Sequence, residues 1–177
     1  RYEDGPIFRG SVADSLRLLG FVVEGGASEP IGATSEGAKA LIEVESSLEQ
    51  VLEWPYVRLQ RRLEEHLLKQ SKQLKGIVII NAHREKAPDE RTEPFTEPLR
   101  VACENYRYTL ITADTLFALV QRFPDGADES TLLGALRRLI NGPWLLSPHQ
   151  ILTDPPPAEK REPILYPPDC LRRLHAP

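Results

Sequence analysis

The sequence predicts an α/β domain, built on a sheet at least partly parallel with helices on both faces. Three observations predict it. Segments with apolar residues at helical spacing alternate with short β-prone runs. One run, Ile77-Val78-Ile79-Ile80, is apolar at every position, as in strands covered on both sides. Glycines and prolines punctuate the joins.

The elements follow in order. Val12, Leu16 and Leu19 share a helical face before Gly20, a residue suited to the left-handed conformation that closes helices. Phe21 to Val23 is a short β-prone run, and Gly25 to Pro30 reads as a loop. Ala38 to Val44 is the next strand, and alternation puts Leu41, Glu43 and Glu45 on one of its faces. From Leu48 to Leu74 the period becomes helical, with Leu59, Leu63, Leu67 and Leu74 apolar, and one long helix is predicted from Pro55. Beyond the apolar strand a helix is predicted after Thr96, then a strand over Tyr108 to Thr112. A further helix, capped by Asp114, is predicted to run to about Phe123. The order is thus β-α-β-α-β-α, with the Glu43 strand near the middle of the sheet.

Ser130 to Ile140 predicts a last amphipathic helix, closed by Asn141-Gly142-Pro143. Nine of the sixteen prolines lie from Pro143 onward, and proline lacks a backbone donor and fixes φ. The domain is therefore expected over residues 1–142 and a proline-rich tail or linker over 143–177, with little contribution to stability after about Ser147.

Composition narrows the function classes. With 177 residues, 41% hydrophobic and 27% charged, the chain is long enough for one core and close to globular averages. The net charge of −4 argues against strong nonspecific attraction to nucleic acid, while leaving room for a local basic face. No apolar run approaches the roughly 20 residues of a membrane span. Arg1 to Arg9 hold charges where a signal peptide needs an apolar stretch, so a cytoplasmic home without membrane contact is expected. Cys103 and Cys170 stand far apart without C-x-x-C spacing, which indicates neither a zinc site nor a disulfide framework. A chain with no Met is also read as a fragment of something longer.

Three segments carry a resemblance: Ala13-Asp14-Ser15-Leu16-Arg17-Leu18-Leu19-Gly20-Phe21, Ala38-Lys39-Ala40-Leu41-Ile42-Glu43-Val44-Glu45 and Lys75-Gly76-Ile77-Val78-Ile79-Ile80-Asn81-Ala82-His83-Arg84. With Pro88-Asp89-Glu90-Arg91, Pro94-Phe95-Thr96-Glu97 and Leu110 to Phe117, their order resembles bacterial restriction-endonuclease-like domains of the PD-(D/E)XK class over roughly residues 7–123. The resemblance implies a mixed sheet flanked by helices. It also implies an active site in which carboxylates on adjacent strands hold a divalent metal beside a lysine that positions or activates water. By that pattern Glu43 is the acid of the (D/E)XK motif. Glu45 stands where the lysine is expected, an arrangement that some relatives share. Pro30 falls where an aspartate should begin the preceding strand, with Glu29 its acidic neighbour, and Arg9 falls where an early acid is often seen.

Lys39 shares the face of Glu43 but lies about 13 Å along the strand; Lys69 or Lys72 of the long helix offers another route to a lysine. Plainer readings stand beside these. Paired glutamates at i and i+2 also suit a solvated strand face, and His83-Arg84 suits a surface turn. His66 suits a helix surface, having no second ligand at metal spacing. Arg58, Arg61, Arg62, Lys69, Lys72 and Lys75 read as a solvated basic face interrupted by Glu64 and Glu65, and Tyr106, Tyr108, Phe117 and Phe123 as core or rim aromatics.

The functional expectation is a nuclease-like domain that has lost phosphodiesterase activity. It would serve as a binding or scaffold module in a larger protein assembly or beside fused domains, with nucleic acid as a partner of that assembly. No cofactor is expected. The first alternative is an active nuclease holding Mg²⁺ or Mn²⁺ through Glu43, Glu45 and Glu29; the second is a protein-interaction domain unrelated to nucleic acid.

Overall fold

The computed structural model describes residues 5–26, 30–35 and 38–121. Glu29, Phe123, Cys170, the helix expected at 130–140 and the tail expected at 143–177 lie outside the described residues.

Helix α1 (Gly5–Leu18) buries Phe8, Val12, Ala13 and Leu16 along one stripe. It ends as predicted at Gly20, whose φ of +89° a residue with a Cβ rarely adopts, while the Phe21 amide donates back to the Leu16 carbonyl at 3.0 Å. Strands β1 (Val22–Glu24), β2 (Ile31–Ser35) and β3 (Ala38–Ser46) then form an antiparallel meander. Periodicity did not single out β2, because Ile-Gly-Ala-Thr-Ser carries one large apolar residue; only the resemblance placed a strand from about Pro30. Pairing with β3 makes the strand, turning Ile31 and Ala33 into the core beneath α1.

Helix α2 (Trp54–Gln70) starts with Pro55 in its first turn and closes on Ser71 in the left-handed region. The fold then alternates through β4 (Lys75–Asn81), α3 (Glu97–Asn105), β5 (Thr109–Thr112) and α4 (Ala113–Gln121). Residue Thr112, not Asp114, caps α4: its hydroxyl accepts the Thr115 amide at 3.2 Å, and Asp114 sits in the first turn. The five strands lie in one sheet in chain order, with β3, β4 and β5 parallel and β3 in the middle.

Alternation sorts the side chains into two cores. Ala40, Ile42, Val44, Ile77, Ile79 and Ile111 meet α1 and α4 on one face. Val78, Ile80, Leu110 and Tyr108 meet Leu59 and Leu63 of α2 and Leu99 and Cys103 of α3 on the other. Each fully buried Leu or Ile contributes about 1.5–3 kcal/mol relative to exposure, so both layers are needed to hold so small a sheet. At Gly76 the chain leaves no room for a side chain, since a Cβ would lie 2.6 Å from the Tyr108 ring. Among the described residues no helix is long and apolar enough to cross a membrane.

Candidate functional site

Glu43 lies on the central strand and points toward α2, on the face that carries Leu41. Its side chain is 1% exposed. A buried carboxylate is costly unless paired and hydrogen-bonded, so the fold must supply cations here. It supplies two from α2. Arg58 Nε donates to Glu43 Oε1 at 2.7 Å, and Arg62 Nη1 donates to the other oxygen, Oε2. Arg58 Nη2 also reaches Glu45 Oε2, bridging the acids at i and i+2.

The two arginines stand one helical turn apart, beside Leu59 and Leu63. Packing those leucines on the sheet therefore carries both guanidinium groups over the carboxylates. They remain 39% and 26% exposed, so each has one side in water. Burial pulls the Arg58 guanidinium toward its neutral form, but the hydrogen bonds and charges of Glu43 and Glu45 outweigh that and hold its pKa above the usual arginine value. Two carboxylates against two guanidinium groups leave the cluster with no net charge.

This corrects the solvated reading of Arg58 and Arg62, and it removes Glu43 from any open strand face. Magnesium needs oxygen lone pairs converging in near-octahedral geometry, whereas both Glu43 oxygens face guanidinium groups. The residues present thus do not fit a resident divalent cation. Among the described residues no group of three or more His, Cys, Asp or Glu side chains is placed to hold a metal.

The remaining motif positions fall as follows. Extending the β2–β3 register by one residue from Ile31 opposite Ile42 brings Pro30 opposite Glu43. Lys39 turns away, its Nζ bonding Glu24 Oε2 on β1 at 2.6 Å across Gly32. Lys69 and Lys72 are exposed, and Arg9 lies on α1, on the opposite side of the sheet from α2.

A second polar locus sits where β4 and β5 end, the edge at which open parallel sheets hold ligands. It is a small open pocket of about 100 Å³, with Asn81, His83, Arg91, Thr92, Thr112 and Asp114 among its lining residues. Arg91 Nη1 lies 3.4 Å from both Asn81 Oδ1 and Asp114 Oδ2, and Arg91 Nε donates to the Lys86 carbonyl at 3.2 Å. Asn81 in turn donates to Ser46 Oγ at 3.3 Å, tying the pocket to β3. His83 opens a turn, as its sequence suggested, its carbonyl accepting the Lys86 amide at 2.9 Å, but its own side chain is buried. Its Nε2 lies 3.2 Å from the Glu93 carbonyl and 3.1 Å from Thr92 Oγ1. His66 is half-buried on α2. Tyr108 belongs to the core and stacks on the half-buried Tyr106 at 5.6 Å, whereas Phe117 is exposed.

No protein-family model matches the chain, and comparison with curated proteins and with solved structures finds no match either.

Proposed function

We propose that this is a restriction-endonuclease-like domain that no longer cuts phosphodiesters and works as a binding or scaffold module within a larger assembly that handles nucleic acid. The carrying observation is the pair of arginines, Arg58 and Arg62, closed over Glu43 and Glu45. A live site needs those carboxylates turned toward a metal and a lysine beside them to assist the attacking water. Here the charge that faces Glu43 is fixed by α2, and Pro30, a residue with no side-chain ligand atom, is the residue that extending the β2–β3 register would bring opposite it. Loss of one preorganised charge at such a centre costs about 10²- to 10³-fold in rate, and loss of the metal ligands compounds it.

The test is a cleavage assay on single- and double-stranded DNA and RNA with Mg²⁺ or Mn²⁺, run beside a Glu43→Gln, Glu45→Gln double variant. No cleavage above background is expected from either. Cleavage by the wild type that the double variant lacks overturns the proposal in favour of an active nuclease. Oligonucleotide binding that weakens with salt is expected as well; its absence would point to a module unrelated to nucleic acid.

A further inference from the structure

We propose that the outer face of α2 is a self-complementary surface that pairs, antiparallel, with the same face of a second copy of this chain. The inference stands apart from the proposed function, because no residue it uses belongs to the arginine pairs at Glu43 or to the pocket.

Helix geometry sets the face. Leu59 and Leu63 hold α2 on the sheet, and the positions about half a turn round the helix from them are Trp54, Val57, Arg61, Glu64 and Leu68. Their spacing alternates between three and four residues, the repeat with which a helix presents one seam to another helix. A surface helix ordinarily turns charged and polar side chains outward. This one exposes three large apolar ones, Trp54 at 59%, Val57 at 41% and Leu68 at 60%. Scattered exposed hydrophobics need no explanation, but three in one seam about 20 Å long share a surface.

Charge decides what covers the seam. Arg61 and Glu64 lie at its middle, between Val57 and Leu68. Parallel pairing of two such helices would set Arg61 on Arg61 and Glu64 on Glu64, like against like. Antiparallel pairing about a two-fold axis between Arg61 and Glu64 puts Arg61 of each copy on Glu64 of the other, and Val57 of each on Leu68 of the other. Every layer then matches, cation on anion and apolar on apolar. Trp54 reaches past the last layer to the turn at Ser71, where α2 of the other copy closes. The seam is its own complement, which favours a second copy over a foreign partner. Both copies use the same patch, so the contact is isologous and closes at two.

The contacts these charges already make are light. Arg61 Nε lies 3.6 Å from Glu65 Oε1, with both side chains exposed, and Gln60 donates to Glu64 Oε1 at 3.0 Å. A guanidinium carries several donors and a carboxylate several lone-pair sites, so each side chain keeps its present neighbour and still takes a second partner. Exposed pairs contribute little on their own. Flanked by Val57 and Leu68 of the two copies, the new pairs lie in a lower dielectric and attract more strongly.

Sedimentation equilibrium of the full chain, with reductant present and over about 1 to 200 µM, covers the affinities expected of a small interface. The wild type is expected to rise with concentration from the mass of one chain to that of two, and no further. Arg61→Glu or Glu64→Arg sets like charges in both central layers, so either variant alone is expected to dimerise at least about 10-fold more weakly. An equal mixture of the two variants is expected to recover the dimer, since each supplies the charge that the other lacks. Leu68→Ser, at the end of the seam, is expected to weaken the dimer as well. A wild type that stays at the mass of one chain or grows past two, a dimer indifferent to these substitutions, or a mixture that remains monomeric overturns the proposal.

Discussion

Replacing Glu43 by Gln is the most informative single change, because it keeps the shape of the side chain and removes the charge that two arginines share. Removing one partner of a fully buried ion pair costs about 3–5 kcal/mol. Here Arg58 keeps Glu45, and the 39% and 26% exposure of the arginines lets water resolvate what they lose, so about 2 kcal/mol is expected. For a domain of this size each kcal/mol moves the thermal midpoint by about 4 °C, which gives a drop of about 8 °C. Glu45→Gln, at a third-exposed position, should cost no more than about 1 kcal/mol. Thermal unfolding followed by far-UV circular dichroism measures both. A Glu43→Gln drop no larger than that of Glu45→Gln would refute the cluster as a buried, mutually dependent unit. Adding Arg62→Gln to Glu43→Gln should cost less than the two separate losses combined, because the arginine has already lost its partner.

Other consequences are as testable. Gly76→Ala forces a methyl into the Tyr108 ring and against Leu59, and should destabilise by about 1–3 kcal/mol in the same unfolding experiment. Burial pushes the Cys103 thiol up to about 12, only partly offset by Lys75, so in a Cys170→Ser background native protein at pH 8 should resist a thiol reagent that labels the unfolded chain at once. Lys39, by hydrogen bond and charge, holds the Glu24 carboxyl below the usual carboxylate range. Its contribution to stability is therefore complete above the unfolded carboxyl pKa and fades as pH falls through the lower folded value. An NMR titration of Glu24 should show its pKa rising in Lys39→Gln.

The fold was legible where period and punctuation agree. Ile77 to Ile80 could hardly be anything but a covered strand, and Leu59 and Leu63 with Pro55 behind them define α2 and its buried stripe. Strand β2 was not legible in period or punctuation, and only the resemblance placed a strand from about Pro30, because its identity lies in its neighbours: Ile31 pairs with Ile42, and nothing local marks Gly32 or Thr34 as strand. Glu43 and Glu45 were found as a pair on one face, but their partners were not. The signal was present. Arg58 and Arg62 immediately precede the two buried leucines of α2, and a glutamate on a central strand needs cations from whichever helix covers it. The turn at His83 was legible, but the burial of its ring was not, because the ring packs under a segment that returns only at Thr92 and Glu93.

If the proposed function holds, the arginine clamp also bears on whether catalysis could be regained. Glu45→Lys would restore the motif's spelling, yet it would crowd a third cation around a single buried carboxylate and strip Arg58 of its second partner. Pro30→Asp alone would add a carboxylate opposite Glu43 with both guanidinium groups still holding it. A working metal centre requires the lysine and the aspartate to arrive and both arginines to leave, four substitutions spread over β3, α2 and the segment before β2. Each single substitution unbalances the charge against a buried acid and loses stability before any activity appears. On the proposed reading, loss of a metal site works as a ratchet: selection for folding alone keeps the arginines in place and blocks the way back.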